Sequence, residues 1–176
     1  MGGESGWFHT APYWALFDQA VEDLERSIET GVYTNLLSCA SNGVGSVEAY
    51  LGAKVAAYNR KNPDKTLVDN KHQKVGFDKR VNEWIPAMTG GKKLDKNNQQ
   101  RWDHFKRIRA VRDTQQAHSK ETVMRGGYAT LGALLNCFRT GIAGLLLDLH
   151  IVFGDDTPPT IARRAYLPDI EFVGEP

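Results

Sequence analysis

The chain has 176 residues, a formal net charge of +1 and 41% hydrophobic residues, a length that suits one compact domain. Ordinary proportions of charged (24%) and aromatic (10%) residues exclude a wholly disordered or collagen-like polymer. Two cysteines, Cys39 and Cys137, lie far apart with no CxxC spacing, which argues against a secreted disulfide scaffold and a cysteine zinc site.

The first predicted element is an acidic amphipathic helix. Trp14, Phe17, Val21, Leu24 and Ile28 recur at steps of three and four, with Asp18, Glu22, Glu25 and Glu29 between them. Thr10 is a candidate cap, Pro12 is tolerated in the first turn, and Gly31 is a natural stop. A second helix follows at once, from about Val32 to Asn59, so the two form an antiparallel hairpin. Gly43 and Gly45 inside it cost about 1 kcal/mol each in helix propensity, and so mark close approach of a neighbour.

Residues 60–76 (RKNPDKTLVDNKHQKVG) read as a mobile loop. Phe77 to Met88 make a short helix that Pro86 kinks or closes, and 89–98 is a second polar loop. A long helix then runs from about Gln99 to Ala117, anchored by Trp102, Phe105 and Ile108, and 119–127 breaks it. The closing helix, Tyr128 to Phe153, is the most apolar stretch, and Gly132, Gly141 and Gly144 suit tight packing inside a bundle. Arg139, Asp148 and His150 interrupt it, so its uncharged runs fall short of the ~20 residues of a membrane span. Beyond Gly154 the periodicity ends. The expectation is an all-α, up-and-down four-helix bundle with one additional short helix over 1–154, and an extended C-terminal tail over 155–176. With no secretory signal visible at Met1 to Thr10, a cytoplasmic location and no membrane partner are expected.

The near-zero net charge conceals a strong asymmetry. Residues 1–53 hold one Arg and seven acids (−6), 54–125 hold eighteen Lys or Arg and eight acids (+10), and 126–176 come to −3. A basic middle segment can focus a phosphate backbone, and it can equally be a solvated face beside the acidic first helix.

Within that segment lies RWDHFKRIRAVRDTQQAHSK, residues 101–120, with Arg112, the acid Asp113 directly after it, and His118 separated from the arginine by five residues. Here the chain resembles the HEPN superfamily, whose signature is an arginine, then commonly Asn, Asp or His, and a histidine after four to six intervening residues near a helix end. The segment Val47-Glu48-Ala49-Tyr50-Leu51 is similar to one these domains carry in their second helix, and the likeness spans roughly residues 13–153. It implies a homodimer with a composite cleft and metal-independent cleavage of RNA to a 2′,3′-cyclic phosphate. In that reaction His118 is the acid–base group, Arg112 stabilises the phosphate's developing charge, and Asp113 orients the pair or holds the arginine fork. Arg109, one turn earlier, is a supporting phosphate contact, and Gln115 and Gln116 are candidates to read a base or ribose. No metal and no cofactor are expected, and a toxin or defence role brings an antitoxin protein as a partner.

Elementary geometry adds a constraint. Six residues along a helix rise about 9 Å and turn the two side chains roughly 120° apart. One straight helix therefore cannot set Arg112 and His118 on one phosphate; a loosened helix end or a two-fold dimer can. The competing readings are a HEPN-like dimeric module that binds a nucleotide or protein without cleavage, and an unrelated bundle whose arginines pair with acids of a neighbouring helix. His104 is expected at the surface, and Trp84 and Trp102 in the core.

Overall fold

The computed structural model describes residues 12–67, 76–95, 99–117 and 128–166, without the side chains of 33, 99, 114–117 and 128–131. The described residues form an all-α bundle of six helices and no strands. Helix α1 (Tyr13–Thr30) begins one residue after the extended Pro12 and ends at Gly31, whose N–H closes onto Ser27 O. Helix α2 (Tyr33–Lys61) follows after two residues and packs antiparallel along it. Thr10 lies outside the described residues.

The apolar stripe expected on α1 is rotated in the fold. Phe17, Ala20, Leu24 and Ser27 are buried, whereas Trp14 is 52% and Ile28 37% exposed. Asp23 takes a place in the buried face at 4% exposure, because α2 brings donors to it: Ser38 Oγ–H (2.7 Å) and Asn42 Nδ2–H (3.0 Å) reach Oδ2. A buried carboxylate is tolerated when its lone pairs are hydrogen-bonded.

Helix α3 is assembled from Phe77–Lys79, a π-helical stretch Arg80–Trp84, and Ile85–Thr89. The wider turn, in which Ile85 N–H bonds Arg80 O, leads into Pro86, which has no N–H to give. Pro86 thus does not end the helix; Gly90, in the left-handed conformation, does. Phe77 lays its ring against Trp102 (5.9 Å) and Phe105 (4.8 Å) and so fastens α3 to α4 (Gln99–Ala117). Trp102 packs against the core as expected. Residues 68–75 of the expected loop and 119–127 are not among those described.

The closing helix α5 comprises Tyr128–Phe138, a π-helical stretch Arg139–Gly144, and Leu145–Phe153. Its middle is the bundle's tightest crossing. A Cβ on Gly141 would stand 2.5 Å from Phe105 N and 2.6 Å from His104 C, so α4 backbone passes directly over this glycine. On the other side Phe138 fills the space beside Gly43 of α2. Gly132–Phe153 is long and apolar enough to cross a membrane, and 67% of its most apolar window is buried inside this bundle.

The tail expected to be extended carries a sixth helix, α6 (Pro159–Ala165). Proline at its first position is pre-set for a helix start, and Ile161 and Ala165, four apart, bury at 0% and 7% exposure. Arg164 then reaches back to Glu25 of α1 at 2.6 Å.

Candidate functional site

The arginine of the motif sits on α4 opposite α2. Arg112 donates from Nη1 to Glu48 Oε2 (3.0 Å), from Nη2 to Glu48 Oε1 (3.3 Å) and from Nε to Asp113 Oδ1 (2.9 Å). Nη2 also lies 2.8 Å from Asp113 Oδ1. The fork is therefore bidentate toward Glu48, the strongest carboxylate geometry a guanidinium adopts. Burial pulls the Arg112 pKa down, but the hydrogen bonds and charges of Glu48 and Asp113 outweigh it and hold it above its ordinary value.

Arg109 extends the cluster by one turn. Its Nε stands 3.5 Å from Asp113 Oδ2 yet makes no hydrogen bond among the described residues, and its guanidinium lies 5.4 Å from the Phe77 ring centroid. Arg109, Asp113, Arg112 and Glu48 thus form an alternating row across α4 and α2 that sums to zero charge. The Arg112 side chain is the least exposed of the four at 19%, followed by Arg109 at 31%, Glu48 at 36% and Asp113 at 50%. Asp113 Oδ1 thus lies against both Nε and Nη2 of the Arg112 guanidinium.

The remaining motif residues are only partly placed. Gln115 and Gln116 continue the α4 backbone to Ala117, the residue before His118, while their side chains and all of His118 lie outside the described residues. Glu48, singled out in sequence only as part of a similar segment, is the chief partner of Arg112. Its signal was the α2 helical phase: Val44, Val47 and Leu51 are buried, which leaves Glu48 at the margin of the buried face.

A second polar cluster lies a few residues further along α2. Tyr50 O–H donates to Asp155 Oδ2 (2.6 Å), and Lys54 pairs with the same oxygen. His150, fully buried, donates from Nδ1 to Leu146 O (2.7 Å), so its Nε2 accepts the Tyr13 hydroxyl (2.9 Å). The Tyr50 ring packs on His150 at 4.5 Å, and Lys54 lies 5.1 Å from the Phe153 ring centroid. Burial and the bond to Asp155 push the Tyr50 phenol well above its usual range. Asp155 is pulled the other way: burial raises it, but Lys54 and Tyr50 together bring it below the carboxylate norm. Gly154, in the left-handed conformation at φ 71°, turns the chain so that Asp155 N–H bonds His150 O and its side chain returns to α2.

His104, expected at the surface, is instead half-buried in the α4–α5 crossing, with Nδ1 hydrogen-bonded to Thr140 Oγ1. Nearby Arg101 pairs with Asp148, whose pKa burial nevertheless raises. A groove of about 410 Å³ runs between α1 and α6, lined by Asp18, Glu22, Glu25 and Arg163, away from Arg112. Among the described residues no group of three or more His, Cys, Asp or Glu converges as metal ligands.

Compared with protein-family models, curated proteins and solved structures, the chain gives no match. The functional reading therefore stands on the residues themselves.

Proposed function

We propose that the chain is a HEPN-like, metal-independent endoribonuclease, with Arg112, Asp113 and His118 as its catalytic group and Arg109, Gln115 and Gln116 along the RNA. The supporting observation is the bidentate, partly buried setting of Arg112 on the helix that leads into His118. In this reading His118 takes the proton from a ribose 2′-hydroxyl, the 2′ oxygen attacks the adjacent phosphorus, and the bond to the 5′ oxygen breaks. The leaving oxygen gains a proton, and the products are a 2′,3′-cyclic phosphate and a 5′-hydroxyl end. Arg112 stabilises the charge that builds on the phosphoryl oxygens. A homodimer supplies the second copy of the motif that one helix cannot, a cytoplasmic toxin or defence role is the matching context, and an antitoxin protein is the matching partner.

A second reading is a dimeric module that binds a nucleotide or protein without cleavage, and a third, an unrelated bundle, is favoured by one feature of the same site. Both carboxylates bonded to Arg112 are what a purely structural ion pair also needs. Cleavage separates the first two. With EDTA present the purified protein degrades RNA, and Arg112→Ala lowers the rate about 10²- to 10³-fold. His118→Ala abolishes it, and both variants keep the wild-type circular-dichroism spectrum. A wild type inert toward tRNA, mRNA and single-stranded oligomers would award the site to the binding module, and a monomer in sedimentation would count against both.

A further inference from the structure

Arg112 holds more negative charge than it needs. Two carboxylates share one guanidinium, and three hydrogen bonds run from it to them. Asp113 belongs to the same helix, moves with Arg112 and also lies beside Arg109. Glu48 is different. It comes from α2 on a flexible side chain, is 36% exposed, and makes its described hydrogen bonds to Arg112 alone.

We propose that Glu48 is an exchangeable occupant of an anion seat on Arg112, and that the ligand which displaces it is a phosphodiester group of RNA. The proposal rests on the RNA-directed reading above. The exchange is balanced: one anion of charge −1 with two oxygens in a fork leaves, and another of the same charge and fork takes its place. Arg112 never stands desolvated and unpaired, so the swap avoids the penalty of a bare buried charge. Arg109, one turn away with its side chain 31% exposed, supplies a second positive charge on the same row. Glu48 thus sets a threshold against weak anions, and the seat selects a singly charged phosphodiester over free carboxylates by adding contacts along the strand.

The test is binding of the full chain to a fluorescent, fully 2′-O-methylated RNA oligomer, which lacks the attacking hydroxyl and stays intact. Glu48→Gln keeps the side-chain shape and removes the competing charge. A unit charge taken from about 5 Å in a watery setting corresponds to roughly four-fold tighter binding. The gain shrinks at high salt, and Glu48→Gln adds nothing on an Arg112→Ala background. Glu48→Ala shows the same direction, so the result does not hang on one variant. Equal or weaker binding by both folded variants overturns the seat. If the wild type still cleaves unmodified RNA in that case, the ribonuclease reading survives the loss. Tighter binding without cleavage upholds the seat and sinks the ribonuclease. No binding and no cleavage by any form sinks both.

Discussion

Helix α2 carries two polar clusters a few residues apart, and they are built on opposite terms. At Tyr50 and His150 the groups are sealed among aromatic rings: Tyr50 is 2% exposed and His150 is fully buried, with Lys54 and Asp155 at the cluster's more open margin. At Glu48 the partners are half-exposed and acceptors outnumber the positive charge on Arg112. In the first cluster a lost partner leaves a buried group unsatisfied; in the second, water or another anion can replace it. The difference teaches where to look for exchange. Saturated and buried polar groups hold a fold together, whereas over-supplied and half-exposed ones leave room for a ligand.

The largest expected effect lies in the sealed cluster. Tyr50→Ala removes a buried aromatic ring and the donor to Asp155, and should cost about 3–5 kcal/mol in urea unfolding. Arg112→Ala should cost no more than about 1 kcal/mol in the same measurement, because its partners return to water. Equal costs would mean that the two clusters are not distinct in kind.

Acid unfolding gives a smaller, signed effect. The folded-state pKa of Asp155 is lowered, so its contribution is complete above the unfolded value of about 3.9 and disappears as pH falls through the folded one. Asp155→Asn should therefore lower stability at neutral pH and flatten its decline in acid. Asp148 has a raised folded pKa, so its carboxylate acts in the opposite sense, and protonation on acidification favours the folded state. Asp148→Asn should steepen the acid decline, as read by denaturant midpoints from pH 3 to 7. The smallest effect is that of Glu48→Gln on stability, within about 0.5 kcal/mol by thermal melt, even where it changes RNA affinity.

Periodicity made the helices legible, because apolar residues at steps of three and four report one buried face whatever that face meets. The hairpin, the long helix ending at Ala117 and the closing helix ending at Phe153 follow that pattern within a residue or two. It fails where burial is decided by partners rather than by side-chain type. Trp14 lies on the apolar stripe of α1 but is half out of the protein, while Asp23 is buried because Ser38 and Asn42 of α2 come to meet it. Helix α6 was visible in principle, through Pro159 at a helix start and the four-residue step from Ile161 to Ala165. Seven residues carry too little pattern to establish a helix alone.

The motif shows the same division. Resemblance to a family motif set Arg112, Asp113 and His118 apart, and the opposite charges of residues 1–53 and 54–125 were plain in the composition. No local rule could pair Arg112 with Glu48, 64 positions earlier, or bring Asp155 back to Tyr50. Those contacts depend on how α2 lies against α4 and α5, and that crossing is set by the volume of side chains packed between them, with Gly141 under the α4 backbone and Phe138 against Gly43. The sequence by itself determined which residues are helical and which are charged. Only the tertiary structure decided which charges meet, because close packing positions side chains that are distant along the chain.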